Sequence, residues 1–256
     1  MKKPLVALAV IFVTAALPSI SQAQSDPASF NASLVSDYRY RGISQTRLAP
    51  ALQGGADYAP PAGWYVGTWA STIKWIKDAG GDANVEIDIY GGYKGEIAKD
   101  VGYDVGLLQY VYPGARTATW DASYKNPNTT ELYAAVTFGP ATAKVSYALT
   151  NLFGNFDFSN DKKSSGSYYL DLSASFEVGG GVTLAPHIGY QEVKNIAKAS
   201  YTDLALTASK DFSGFLLSIG IVGTDADETF YVPGAQANST QFLGKTAVVA
   251  SVKYTF

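Results

Sequence analysis

The sequence contains no cysteine and a single histidine, His187, in 256 residues. Without cysteine the chain cannot form disulfides, so hydrogen bonds and packing must hold its fold together. Zinc-ligand spacings, phosphate-binding glycine loops and nucleotide-binding fingerprints are also missing from the sequence. We therefore predict neither a cofactor nor a metal site.

Apolar runs long enough to span a membrane as a helix are absent after residue 23. The N-terminus has the features of an export signal: Lys2 and Lys3 are basic, residues 4–18 are mostly apolar, and residues 21–23 have a small-x-small pattern. A membrane anchor is the alternative, but Pro18 interrupts the run before the roughly 20 residues that a spanning helix needs. The predicted organisation is a cleaved signal peptide at 1–23, a short periplasmic lead-in at 24–29 and one domain at 30–256.

An excess of basic residues is also absent, because Lys and Arg number 19 against 22 Asp and Glu. Removal of the leader takes away Lys2 and Lys3, so the net charge becomes 17 − 22 = −5. Surfaces that bind nucleic acid are normally basic. We therefore expect no nucleic-acid partner.

What the sequence does contain is a repeated alternation of apolar and polar residues from Phe30 onward. In one segment, Leu170 and Leu172 alternate with Asp171 and Ser173. A period of two is typical of half-buried β-strands. The pattern predicts twelve strands, at residues 30–42, 50–58, 63–73, 84–95, 100–112, 130–138, 141–150, 167–178, 181–191, 200–209, 212–223 and 244–256.

Short and long spacers alternate between these predicted strands. Tight turns such as residues 59–62 contrast with the long polar spacers 113–129, 151–166 and 224–243. Short turns on the periplasmic side and long loops on the outer side are typical of bacterial outer-membrane barrels. We predict an all-β, transmembrane, antiparallel, up-and-down barrel of about 12 strands with both ends in the periplasm. A soluble two-sheet sandwich would also show the alternation.

Charged side chains fall on one face of each predicted strand, and the other face carries none. A Lys or Arg at the bilayer midplane of a barrel costs about 2–4 kcal/mol. The uncharged face is therefore expected to contact lipid, and the charged face to surround water. Charges on the polar face include Asp57, Lys94, Asp104, Lys144, Glu177, Asp203 and Lys253.

The sequence ends on an aromatic residue, Phe256, within the last predicted strand. We expect this strand to pair with the first one near Phe30, which leaves no strand edge in lipid. The terminal aromatic also resembles the C-terminal signal by which outer-membrane proteins are passed to their assembly machinery. The expected partners are therefore outer-membrane lipid and that machinery.

Six short motifs resemble, in order, those of one protein family. They are residues 36–45 (SDYRYRGISQ), 50–55 (PALQGG), 63–71 (GWYVGTWAS), 86–93 (EIDIYGGY), 110–114 (YVYPG) and 131–133 (ELY). In these motifs the chain resembles the proteobacterial TorF-type porin family, formerly grouped as conserved hypothetical outer-membrane proteins. The likeness is specific over about residues 30–135 and compositional beyond them, apart from the C-terminal strand. It implies a pore in the outer membrane of a Gram-negative bacterium, without a defined substrate or set of functional residues.

The charges on the lumen face are the candidate functional residues. We predict a porin-like channel for passive diffusion of small polar solutes, because twelve strands enclose a wider lumen than the side-chain-filled barrels of eight. Basic residues near the first and last strands would face acidic residues on the opposite wall and create a transverse field. Direct pairing of these charges, which would plug the lumen, is the alternative. The candidates are Asp37, Arg39, Arg41, Glu86, Asp88, Glu131, Asp171 and Lys245.

An enzyme in the barrel wall is a second hypothesis, which the sequence disfavours. Some twelve-stranded outer-membrane barrels are phospholipases with a serine and a histidine facing lipid. Here His187 lies on the lumen face, and Gly189 occupies the position where a His-x-Ser pair needs serine. A nucleophile also needs a base and an orienting group. We therefore predict no enzymatic activity.

A third hypothesis is a non-conducting barrel whose extracellular loops bind a partner or ligand. Residues 114–127 and 153–163 mix aromatic and charged side chains. If Trp120, Phe156 and Phe158 are exposed, they are candidate contacts for a sugar or a protein. If they fold inward, they constrict the pore instead.

Overall fold

The computed structural model describes residues 26–256, in which the chain is almost entirely strand and loop. The signal peptide predicted at residues 1–23 lies outside the described residues, so cleavage after Ala23 stays a prediction. In chain order the strands are β1 (Ala28–Val35), β2 (Arg39–Tyr40), β3 (Ile43–Ser44), β4 (Ala51–Tyr58), β5 (Trp64–Thr72), β6 (Val85–Ala98), β7 (Val101–Val111), β8 (Thr129–Phe138), β9 (Ala141–Ala148), β10 (Phe156–Asp157), β11 (Lys162–Lys163), β12 (Tyr168–Ala174), β13 (Phe176–Gly179), β14 (Val182–Glu192), β15 (Tyr201–Phe212), β16 (Phe215–Thr224) and β17 (Ala247–Thr255).

The wall strands form one closed, antiparallel barrel of 12 strands. Around the barrel the order is β1, β4, β5, β6, β7, β8, β9, β12, β14, β15, β16 and β17, and β17 pairs with β1 to close the wall. β13 continues β12 beyond a break at Ser175, and both pieces pair with β14. The hairpins β2–β3 and β10–β11 lie in loops. The predicted fold class is confirmed.

Helical structure is confined to the loops. The α-helices are α1 (Trp75–Asp78) and α2 (Ala118–Asp121), and three single turns of 3-10 helix are found at Leu152–Gly154, Ala197–Ala199 and Ala235–Ala237. Within residues 26–256, none of these helices combines the length and the apolar character that crossing a membrane needs.

The two ends of the barrel differ in the length of their connections. At one end, called the short-turn end, the connections are residues 59–63, 99–100, 139–140, 180–181 and 213–214. At the other, called the long-loop end, they are residues 36–50, 73–84, 112–128, 149–167, 193–200 and 225–246. The short and the long spacers that alternate in the sequence therefore lie at opposite ends of the barrel.

Apolar side chains cover the outer face of the wall. Leu52, Leu172 and Val248 are 64%, 57% and 65% exposed. An apolar surface this extensive is unfavourable in water and suits contact with hydrocarbon. Exposed aromatic residues gather at the short-turn end, as in the aromatic girdles of membrane barrels: Tyr58, Trp64, Phe138, Phe176, Phe212 and Phe215.

The first and last wall strands meet as the sequence predicts. The backbone N–H groups of Phe30 and Phe256 each donate to the other residue's carbonyl at 2.9 Å, and their rings stack with centroids 6.3 Å apart. The pairing continues from Asn31 opposite Thr255 to Val35 opposite Ser251. These bonds leave no unpaired strand edge at the seam, which is what a wall immersed in lipid requires.

The predicted strand boundaries agree with the structure to within three residues, except at the first strand. β1 begins at Ala28, inside the predicted lead-in, and ends at Val35 instead of residue 42. Residues 36–50 then leave the wall. The prediction failed there because Tyr38 and Tyr40 continue the alternation of β1 although both are buried inside the barrel.

Candidate functional site

Residues 36–50, here called the inward loop, leave the wall after β1 and fold into the lumen before β4 begins. Within this loop β2 and β3 form a hairpin, and Arg41 and Gly42 make its two-residue turn. Both turn residues have a positive φ, 46° and 80°, as a type I′ turn requires. A Cβ atom at Gly42 would lie 2.8 Å from the Cβ of Asp203 on β15, so glycine also permits close contact with the wall.

Arg41 fastens the tip of the inward loop to the opposite side of the barrel. Its Nη2 donates to Oε2 of Glu131 on β8 at 2.7 Å, and its Nη1 donates to Oε1 of Gln191 on β14 at 2.5 Å. The guanidinium carbon lies 4.7 Å and 4.3 Å from the ring centroids of Tyr40 and Tyr169. The Arg41 and Glu131 side chains are 4% and 2% exposed. Loss of either partner would leave a buried, unpaired charge, which is strongly destabilising.

Tyrosine side chains fasten the same loop to β6 and β7. The hydroxyl of Tyr38 donates to Oε1 of Glu86 on β6, and the hydroxyl of Tyr112 donates to Oε2 of that carboxylate at 2.7 Å. The hydroxyl oxygens of Tyr40 and Tyr110 are 2.9 Å apart. The inward loop is therefore bonded to wall strands on several sides of the lumen.

Arg39 holds the loop together and ties it to the segment before β17. Its Nε donates to Oδ2 of Asp37 at 2.6 Å. Its Nη1 donates to the carbonyl oxygens of Gly42 and Lys245 at 3.0 Å and 2.8 Å. The hydroxyl of Ser44 donates to Oδ1 of Asp37 at 2.5 Å. Arg39 thus pairs directly with Asp37, as expected if the charges form a structural network that plugs the lumen.

The predicted placement of the basic candidates and of Asp37 is wrong. Asp37, Arg39 and Arg41 lie in the inward loop instead of on β1, and Lys245 is exposed in the connection before β17. Arg41 contacts Glu131 directly, so these two charges do not face each other across an open lumen. The reason is that the chain turns inward after Val35 and carries the basic residues across the barrel. That these residues line a conducting path stays a prediction.

The acidic candidates other than Asp37 lie on wall strands. Glu86 and Asp88 are on β6, Glu131 is on β8 and Asp171 is on β12, and all four are buried on the lumen side. Sequence reasoning missed their tyrosine partners and Gln191. The signal that could have found the inward loop is the Arg41-Gly42 pair, because glycine commonly marks a tight turn.

Asp171 belongs to a second polar cluster, which surrounds His187 on β14. Oδ2 of Asp171 lies 3.4 Å from Nδ1 of His187, and Oδ1 of Asp203 lies 2.9 Å from Nε2. The Tyr169 hydroxyl donates to Oδ2 of Asp203 at 2.9 Å, and the same ring packs against Arg41. The cluster is therefore continuous with the contacts of the inward loop. Within the part of the chain that the structure describes, no group of His, Asp and Glu side chains could hold a metal ion.

Toward the short-turn end, several charged side chains of the lumen are half-buried. Lys94 on β6, Asp104 on β7 and Lys144 on β9 are half-buried. The Tyr65 hydroxyl donates to Oδ1 of Asp104 at 2.6 Å. Charges of both signs therefore line the part of the lumen that lies beyond the contacts of the inward loop.

At the long-loop end the connections enclose a cavity of about 690 Å³, here called the mouth cavity. Side-chain amides of Gln45, Asn155, Gln191 and Asn195 form part of its lining. All the connections at this end contribute to the lining, and most of them supply aromatic rings. Aromatic residues of the lining include Tyr40, Trp75, Tyr124, Phe153, Phe158 and Phe230.

Two lining residues, Asp78 and Asp157, are charged. Asp78 accepts two hydrogen bonds from Arg47, one of them from Nε at 2.9 Å, and these bonds raise the pKa of Arg47. The Asn160 side chain donates to Asp157 at 2.8 Å and keeps the pKa of Asp157 below its ordinary value. The Asp157 carboxylate is therefore ionised at neutral pH, and the Asp78 carboxylate is paired with the Arg47 guanidinium.

Trp120 is buried, so it is not an exposed loop contact. It is 0% exposed, its ring stacks on Tyr124 with centroids 4.5 Å apart, and its Nε1 donates to the carbonyl oxygen of Lys125 at 2.8 Å. Phe156 and Phe158 line the mouth cavity, and Phe158 is 47% exposed. The aromatic residues of the two loops therefore have different roles, with Trp120 forming the core of its own loop.

Replacing Trp120 with alanine should unfold the 112–128 loop without opening the barrel. Truncation of a buried tryptophan costs about 3–5 kcal/mol, and the contacts of Trp120 with Tyr124 and Lys125 form the core of this loop. Trypsin should cleave the folded variant in detergent after Lys125 much faster than it cleaves the wild type. Phe138→Ala, an exposed position on the outer face at the short-turn end, is the control and should stay as resistant as the wild type. Equal cleavage rates for Trp120→Ala and the wild type would contradict this assignment.

Two solved structures of porins have a similar fold. The KdgM porin, in complex with disordered oligogalacturonate, gives a TM-score of 0.52 at 7% sequence identity and covers 90% of this chain and 98% of its own. The NanC porin gives a TM-score of 0.51 at 9% identity, with the same coverage of 90% and 98%. Porins are channels and not enzymes. The likeness establishes that this barrel has the fold of an outer-membrane porin.

Sequence comparison places the chain in a family whose description differs from the TorF-type resemblance. No curated protein matches the sequence. The model of the Gcw_chp family, described as bacterial protein of unknown function, matches residues 21–256. Because this match covers nearly the whole sequence, the chain belongs to the Gcw_chp family.

Proposed function

We propose that the protein is a porin-like channel through which small polar solutes diffuse passively across the outer membrane. The observation that carries this proposal is a closed 12-stranded barrel whose lumen is polar and charged while its outer face is apolar. Such an interior is suited to water and polar solutes. The inward loop forms the constriction of the path, because it crosses the lumen and bonds to the wall on several sides.

The charges support a polar substrate without a strong preference for one sign. Half-buried side chains on the lumen side carry both signs of charge. They include the lysines Lys94 and Lys144 and the carboxylates Asp57 and Asp104. Fields of both signs orient dipolar solutes and disfavour apolar ones. The similar KdgM porin has been solved with oligogalacturonate, a small polar solute, which supports the same general class of cargo here.

The location and partners form part of the same proposal. The exposed apolar band and the aromatic residues at the short-turn end support insertion into outer-membrane lipid of a Gram-negative bacterium. Phe256, next to Phe30 at the closing seam, is the proposed contact for the assembly machinery. The motif at residues 36–45, on which the TorF-type resemblance partly rests, forms most of the inward loop. That resemblance therefore supports the assignment of a pore.

The proposal is tested with purified, refolded protein in a planar lipid bilayer. We expect discrete conductance steps, and proteoliposomes should take up small sugars and amino acids faster than protein-free liposomes do. A preparation that is folded by gel mobility, but shows neither current steps nor solute uptake over a wide voltage range, would exclude the channel.

A second candidate is a non-conducting barrel whose outer loops bind a ligand. The buried Arg41–Glu131 contact favours it, since the pair holds the inward loop across the lumen. The mouth cavity also favours it, because its lining includes Tyr40 of the inward loop. The bilayer experiment separates the two candidates, since only a channel gives current.

A further inference from the structure

We infer that the mouth cavity is a binding site for a segment of a neutral oligosaccharide. The cavity measures about 690 Å³, within the roughly 300–1,000 Å³ that is typical of ligand pockets. This inference goes beyond the proposed channel, because a ligand can occupy the long-loop end whether or not the lumen below conducts.

Aromatic rings supply the apolar part of the site. Trp75, Phe153 and Phe230 come from three different connections and line one cavity. The face of an aromatic ring is electron-rich. The C–H bonds on one face of a pyranose ring carry a partial positive charge, so a sugar stacks on such a face while its hydroxyls point outward.

Uncharged hydrogen-bonding groups supply the polar part. The side-chain amides of Gln45, Asn155 and Asn195 line the same cavity and are half-buried or exposed. An amide both donates and accepts, which matches a hydroxyl group that does the same. Apolar ring faces interspersed with amides therefore match a ligand that alternates C–H faces with hydroxyls.

The charges argue for a neutral ligand. Asp78 is neutralised by Arg47, and Asp157 contributes a negative charge. The ammonium group of Lys125 lies 4.7 Å and 4.8 Å from the ring centroids of Phe156 and Phe158, which hold it at the rim. Neither an arginine nor a lysine belongs to the described residues that line the cavity. A polyanion would therefore lose hydration without gaining a cation in the cavity.

Calorimetric titration of the purified barrel in detergent tests the inference. The probes are maltohexaose, cellohexaose and xylohexaose as neutral sugars, with an oligogalacturonate of the same length as the anionic comparison. We expect saturable binding of at least one neutral sugar and weaker binding of oligogalacturonate at equal ionic strength. Saturation with none of the neutral sugars, or tighter binding of oligogalacturonate, would overturn the inference.

Two variants locate the site and test its charge selectivity. Phe230→Ala should lower the affinity for the neutral sugar by roughly tenfold, as expected for the loss of an aromatic stacking contact. Phe215→Ala, on the outer face at the short-turn end, should leave the affinity unchanged. Ser159→Lys places a cation on the cavity lining and should increase oligogalacturonate binding. Unchanged neutral-sugar affinity in Phe230→Ala would place binding elsewhere and overturn the assignment.

The titration tests sugar binding and the bilayer recording tests conduction, so a negative result in one does not decide the other. A barrel that binds the sugar but gives no current would refute the channel and keep this inference. A barrel that conducts but binds no neutral sugar would refute this inference and keep the channel.

Discussion

Replacing Arg41 with alanine should increase the single-channel conductance and shift the reversal potential toward cation selectivity. The change removes the donor to Glu131 and Gln191 and leaves the Glu131 carboxylate buried without its partner. Breaking one side of a buried ion pair costs about 3–5 kcal/mol. Release of the inward loop lets water reach Glu131, so the ratio of released to bound loop should rise by roughly two to four orders of magnitude.

The backbone of Arg41 adds to this effect. Its φ of 46° is uncommon for a residue with a side chain, and such strain costs on the order of 1–3 kcal/mol. The contacts of the guanidinium compensate for that strain in the closed arrangement. Without those contacts, nothing offsets the backbone strain at residue 41, and the hairpin turn is less stable in the lumen.

Two further variants make the test specific. Glu131→Gln keeps the shape of the side chain but removes its charge, so it should increase conductance without adding cation selectivity. Arg116→Ala removes an arginine from an exposed pair with Asp121, in which the two side chains are 59% and 40% exposed, and should change neither quantity. A folded Arg41→Ala barrel with wild-type conductance would show that the inward loop does not limit the path.

Gly106→Ala should markedly destabilise the folded barrel. Gly106 on β7 lies opposite Tyr133 on β8, whose ring crosses over it. A Cβ atom at this position would lie 2.6 Å from Cζ of Tyr133 and 2.6 Å from the carbonyl oxygen of Gly91. The tyrosine would have to move away from its hydrogen bond with the Tyr65 hydroxyl. Overpacking of this kind costs about 1–3 kcal/mol.

The measurement is the urea concentration at which the gel-mobility difference between folded and unfolded barrel disappears. Gly102→Ala is the matched control, because Gly102 faces the lumen on the same strand and its nearest contacts are 3.7 Å and 3.8 Å away. The midpoint should fall for Gly106→Ala and stay close to the wild type for Gly102→Ala. An equal fall in both variants would mean that strand propensity, and not the contact with Tyr133, decides the effect.

The wall of the barrel was predictable because its signal is local. The alternation of Leu170 and Leu172 with Asp171 assigns each side chain to a face without knowledge of any other strand. Lipid on one side and a polar lumen on the other make this assignment strict, since a shift by one residue would bury charge in hydrocarbon. Phe30 and Phe256 likewise meet at the seam because a barrel must close its first strand on its last.

The inward loop was not predictable in the same way. Its contacts join residues far apart in the chain: Arg41 is 90 residues from Glu131 and 150 residues from Gln191. Tyr38 and Tyr40 keep the alternation of β1, so the local pattern cannot distinguish a longer strand from a loop that turns inward. The Arg41-Gly42 pair indicates a hairpin turn, but it does not show whether the hairpin points into the lumen or away from the barrel.

The sequence by itself therefore determined the number of strands, the faces of the wall and the end at which the long loops lie. Each of these depends on neighbours in the chain and on the difference between lipid and water. Only the tertiary structure decided that the lumen is crossed by residues 36–50, that Arg41 and Glu131 are partners, and that separate loops enclose the mouth cavity. These features depend on which side chains face each other across a closed barrel, and the order of residues along one strand does not encode that.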